Sequence, residues 1–117
     1  MRQLVLDEFI DAEIAKAEEL NASGDPEGAF RHLERAHVLG QSSTFQHTRV
    51  HWLMFKHGFR ERDPKEVVGQ VLRIGGAATK TPFGIYPKGN TGGANVSPFR
   101  PMPLEPDLKE ILEKAGK

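Results

Sequence analysis

Five side chains in the first half of the chain have the types and spacing to hold a metal ion: Glu13, Glu34, His37, His47 and His51. His47 and His51 stand four positions apart, so one helix face presents both imidazoles. Two such nitrogens reach one ion at about 2.0–2.1 Å. Glu34 and His37 have the i, i+3 spacing of di-iron bundles, but the pair occurs once, too few for a full dinuclear site. With no cysteine in the chain, any ion must be held by nitrogen and oxygen. That donor set suits zinc, ferrous iron or manganese. The same residues could instead form a metal-free polar network, with Glu13 accepting hydrogen bonds from His37, His47 or an arginine.

These residues meet only if three helices position them. The first runs from about Val5 to Asn21. At about 100° per residue, Leu6, Phe9, Ile10, Ala17 and Leu20 gather on one stripe with Ile14 at its margin. Glu13 lies near the stripe's centre, where a carboxylate needs a partner, a proton or a metal. A rim position, or a salt bridge to Arg35 or Arg49, would serve as well. Gly24 suits a left-handed cap, Asp25 caps the second helix, and Pro26 takes its first turn. Ala29, Phe30, Leu33 and His37 then form an inward stripe ending at Gly40, with Glu34 at its edge and His32 pointing outward. The third helix spans roughly Ser43 to Gly58 and is apolar around most of its circumference, which marks it as central. His47 and His51 share a face with Met54 and Phe55, while His57, near the C-terminal end, is placed to favour the helix dipole at the surface.

Asp63-Pro-Lys-Glu66 is a helix start with a capping-box glutamate, followed by Val67, Val68, Val71, Leu72 and Ile74 and by the small residues Gly75 to Ala78. Five prolines between Lys80 and Pro103 forbid a regular helix there. The apolar residues Phe83, Ile85, Tyr86, Val96, Phe99 and Met102 predict an ordered wrap, with the aromatics docked on the helices rather than stacked on bases. Gly89-Asn-Thr-Gly-Gly-Ala-Asn95 lacks the strand, helix and Lys-Ser/Thr pair of a nucleotide loop, and reads as a conformationally demanding turn. Leu108, Ile111 and Leu112 share one side of a last helix, Pro106 to Ala115.

The spacing of Gly24-Asp25, Ala29 and Ala36 resembles the second half of a tetratricopeptide repeat, over about 35 residues. It implies a helical hairpin rather than a peptide-binding solenoid. Four blocks carry a second resemblance: Ala29-Phe-Arg-His-Leu-Glu-Arg-Ala-His-Val-Leu-Gly-Gln41, His47-Thr-Arg-Val-His-Trp-Leu-Met54, Gly75-Gly-Ala-Ala-Thr-Lys80, and Gly89 through Pro103. On these, the chain resembles a small bacterial family catalogued as a domain of unknown function. The resemblance covers nearly the whole chain and implies membership, not an activity.

The expected architecture is all-α, one domain over residues 1–117: two packed antiparallel, tetratricopeptide-like hairpins (1–78), an ordered irregular wrap (79–105) and a short helix (106–115). Charge balances at 16 basic and 16 acidic residues, so no nucleic-acid or membrane attraction is expected. It is unevenly spread: residues 1–30 carry eight acids and two bases, residues 31–62 six bases and two acids. The N-terminus turns acidic too soon for a signal peptide, and no run approaches the roughly 18 apolar residues of a membrane span. A soluble, cytoplasmic protein is expected. No nucleophile has a visible base beside it. The preferred reading is a metal-binding accessory or sensing protein rather than an enzyme. Its rival is a protein-interaction module, hetero- or homodimeric, with a buried structural His/Glu network and no metal. An iron-dependent enzyme is a third reading and requires an open coordination position.

Overall fold

The computed structural model describes residues 2–117. Its elements are α1 (Arg2–Ala22), α2 (Pro26–Gly40), α3 (Thr44–Arg60), α4 (Pro64–Lys80), a 3-10 turn (Thr81–Phe83) and α5 (Pro106–Lys114). No strand occurs among the described residues, and the fold is all-α. None of the helices is long and apolar enough to cross a membrane.

Side-chain caps start the three helices that matter most for the site. Asp25 accepts from the Gly28 amide, Ser43 from the Gln46 amide and Asp63 from the Glu66 amide. Each satisfies an amide that has no partner within its own helix, typically worth about 1 kcal/mol. Gly24 ends α1 at φ +85°, the left-handed region in which a side chain is strained. Connections of three residues (23–25, 41–43 and 61–63) fold α2 back along α1 and α4 back along α3, with α2 against α3 joining the two pairs.

The core comprises Leu6, Ile10, Ile14 and Ala17 of α1, Ala29, Leu33 and Ala36 of α2, Val50 and Met54 of α3, and Leu108 and Leu112 of α5. Its position corrects the expected register of α1. Ile14 is at the centre of the buried stripe, whereas Phe9 is half-exposed. The stripe is therefore rotated away from Phe9 and Glu13, and Glu13 occupies the rim. There it accepts from Arg35 Nε at 2.9 Å and pairs with His32 Nδ1 at 2.7 Å. His32 is consequently half-buried against Glu13 rather than pointing into solvent. Arg35 continues to Glu105 and Asp107 at the start of α5, so one guanidinium ties α1, α2 and α5 together.

Helix α4 turns a polar face inward. Val68, Val71 and Leu72 are exposed, and the buried face is Glu66, Gln70 and Ala77. A helix whose inward face is polar needs partners for every buried group. Those partners are His51 of α3 and the loop after the 3-10 turn.

Candidate metal centre

His37 lies in the last turn of α2, and His47 and His51 lie in the first two turns of α3. The short α2–α3 connection brings these segments together, and the three rings meet in the interior, each at most 6 % exposed. Their Nε2 atoms converge: His37 is 3.1 Å from His47 and 3.0 Å from His51. One ligand nitrogen from each ring lies within 4.8 Å of the others. Two nitrogens bound at about 2.0–2.1 Å to one ion, at angles near 90–110°, lie roughly 2.8–3.4 Å apart.

The Nδ1 atoms fix which way the protons point. His37 Nδ1 is 2.7 Å from the Asn90 carbonyl, which only accepts, so this nitrogen is the donor. His51 Nδ1 is 2.6 Å from Gln70 Oε1. The Gln70 amide orientation is set independently, because its Nε2 donates to Glu66 Oε2 at 2.6 Å and to the Gly92 carbonyl at 2.9 Å. His47 Nδ1 pairs with Thr81 Oγ1 at 2.7 Å. Burial lowers all three histidine pKa values: His37 well below its usual range, His47 to about 4, and His51 to about 3 with help from neighbouring His47. The rings are therefore neutral near pH 7. In His37 and His51 the single proton sits on Nδ1, which leaves two bare Nε2 lone pairs facing each other. A cation between them resolves that repulsion. Outer partners that hold Nδ1 and aim Nε2 are the usual support of a metal-binding histidine.

The loop after the 3-10 turn closes the site with polar atoms, not with the expected aromatic anchors. Phe83 is 79 % and Phe99 74 % exposed, so these two do not anchor the loop as expected, whereas Tyr86 is half-buried. Instead Gln41 donates to the Pro87 carbonyl and accepts from the Gly89 amide. Asn90, fully buried, donates to the Ser97 and Arg100 carbonyls and accepts from the Gly92 amide. Glu66 accepts from the Ala94 amide rather than from the Asp63 amide that a capping box would supply. The turn is indeed conformationally demanding. Gly92 sits at φ +86°, and a Cβ there would lie 2.5–2.7 Å from the His37 ring, so no side chain fits.

Of the five residues singled out by sequence, the fold gathers the three histidines and neither glutamate. Glu13 is on the far rim with Arg35 and His32, as described above. Glu34 is half-buried outside the nitrogen cluster, its pKa raised by burial and opposed by Thr91. The expected Glu34–His37 ligand pair is thus split, because the i, i+3 residue faces the loop while His37 faces α3. His57, expected at the surface, is buried against Phe30 with ring centroids 5.1 Å apart. Sequence reasoning missed Gln70, Asn90 and Thr81. The spacing of Glu66, Gln70 and Ala77 along α4 was the available signal of a buried polar face.

A cavity of about 630 Å³ opens beside the triad. Leu72, Gly76 and Ala77 of α4 form one wall, and Ile85, Tyr86 and Phe99 of the loop form the other. The three imidazoles are among its lining residues.

The fold and the site define a small all-α protein with a buried three-histidine cluster at the base of a cavity. The family model described as "Protein of unknown function (DUF3703)" matches residues 5–112, and the chain belongs to that family. No curated protein and no solved structure matches it.

Proposed function

We propose that the chain is a metal-binding protein of the accessory or sensing kind, with His37, His47 and His51 as the protein ligands. The observation that carries this reading is the 3.0 Å approach of His37 and His51 Nε2, two nitrogens with no proton to share. With Glu13 and Glu34 elsewhere, the donor set is all nitrogen. That shifts the preference from manganese, which favours carboxylates, toward zinc, and departs from the two-histidine, one-carboxylate triad of non-haem iron oxygenases. A zinc ion held by three imidazoles keeps a fourth position for an exogenous ligand, where it acts as a Lewis acid and lowers the pKa of bound water to about 7. The cavity is where that ligand enters.

Elemental analysis of untagged protein tests the assignment, with the His47→Ala/His51→Ala double variant as control. About one equivalent of zinc in the wild type and none in the variant is expected. The same trace content in both sinks the assignment.

One observation favours the interaction reading as well. Phe45, Trp52 and Phe59 recur every seven residues on α3 and are at least half-exposed, with Trp52 stacked on Phe55 at 5.3 Å. A heptad-spaced aromatic stripe is suited to a second helix. Sedimentation of the wild type against Trp52→Asp separates the cases: a dimer lost in the variant supports a homodimer, and a monomer at all concentrations sinks it.

A further inference from the structure

The charge and shape of the cavity say what completes the metal site, provided the three-histidine reading holds. Among the described residues, its charged lining residues are Arg73 and Lys80, both cationic, and no carboxylate lines it. Arg73 donates to the Gly69 and Val96 carbonyls, which are neutral, and its Nε is buried with no acceptor. Lys80 Nζ lies 5.1 Å from the centre of the Phe99 ring, a cation–π contact that brings no negative charge. The triad supplies neutral nitrogens only. A divalent ion placed there would add two further positive charges in a low-dielectric setting whose neighbouring carboxylate, Glu66, is already engaged by Gln70 and the Ala94 amide. The walls are of the opposite character. Leu72 is 72 % exposed and, with Ile85 and Phe99, presents apolar surface around a volume within the range of small-molecule sites. An inorganic anion would answer the charge and leave these walls wet.

We propose that the cavity binds a small organic monocarboxylate, its carboxylate taking the open position on the metal and its apolar body lying against Leu72, Ile85 and Phe99. A carboxylate oxygen binds zinc at about 2.0–2.2 Å, the contribution that Glu13 and Glu34 do not make. Lys80 and Arg73 supply the long-range attraction, and the chain length or ring of the ligand supplies the apolar contact.

The experiment uses the full chain loaded with cobalt(II), whose visible absorption reports its ligands, titrated with octanoate, acetate, octanol and inorganic phosphate. Octanoate is expected to shift the cobalt spectrum and to bind at least about ten-fold more tightly than acetate, since each added methylene buries apolar area. Octanol, with the same chain and no charge, is expected to leave the spectrum unchanged. Lys80→Met and Leu72→Asp should each weaken octanoate several-fold while cobalt content stays at one per chain. An unchanged spectrum with octanoate, or phosphate binding as tightly as octanoate, overturns the proposal while leaving the metal centre intact. Equal octanoate affinity in metal-stripped protein overturns the coordination of the carboxylate. Failure to take up cobalt at all overturns the metal reading and this one with it.

Discussion

His37 Nε2 and His51 Nε2 stand 3.0 Å apart while the protons of both rings are committed elsewhere, to the Asn90 carbonyl and to Gln70 Oε1. Two neutral imidazoles in water would rotate or exchange tautomers to avoid this. Here neither can, because Gln70 is itself held by Glu66 and Gly92, and Asn90 by Ser97 and Arg100. The polar network around the triad therefore maintains an arrangement that a bound cation would relieve.

In the proposed metal site, Gln70 orients the ligand His51. Gln70→Leu removes the acceptor for His51 Nδ1 and the donor to the Gly92 carbonyl while keeping the volume similar. Zinc affinity, measured by competition with a chromophoric chelator, should fall by roughly 10–100-fold. Far-ultraviolet circular dichroism should show the helices intact. Unchanged affinity would mean that His51 is positioned by something else.

Gly92→Ala meets two penalties at once. The backbone is in the left-handed region, and the new methyl would enter the His37 ring. Strain and overpacking each cost about 1–3 kcal/mol. Urea denaturation should show a loss in that combined range, and zinc binding should weaken because His37 must shift. A variant as stable as the wild type would place the loop away from His37.

Acid should destabilise the metal-stripped protein through the same rings. His47 and His51 have folded pKa values of about 4 and about 3, and His37 is also well depressed. In the unfolded chain each protonates near pH 6.5. The unfolded state then binds more protons, so stability is complete above about pH 6.5 and is lost as pH falls toward the folded values. Each histidine steepens the fall by up to about 1.4 kcal/mol per pH unit. Urea midpoints between about pH 7.5 and 5 measure it, and bound zinc should move the fall to lower pH. A flat profile would contradict neutral, buried rings.

Arg35 is a structural latch with no part in the metal site. Its partners Glu13, Glu105 and Asp107 lie on α1 and at the start of α5. Arg35→Ala should cost about 2–3 kcal/mol, as charged hydrogen bonds at a mostly buried position do. Hydrogen exchange should rise first in residues 106–114. Zinc content should not change, and a loss of zinc would return Glu13 to the list of ligands.

The amino-acid sequence by itself determined the helices. Asp25-Pro26, Ser43 and Asp63-Pro64 start them, and Gly24 stops the first, because capping and proline geometry are local. It also placed His37, His47 and His51 on inward faces, since helical periodicity alone aligns i with i+4. It could not decide the register of α1 against α2, and a modest rotation moved Glu13 from the stripe's centre to its rim and replaced it with Ile14. Nor could it decide which face of α4 is buried. The valines argued for one face, but the need of His51 for an acceptor, and of the loop for Glu66 and Gln70, buried the other. Those requirements act between residues 19 to 28 positions apart. Only the tertiary structure, by bringing Asn90, Gln70 and Thr81 against three rings, turned inward-facing histidines into three nitrogens aimed at one point.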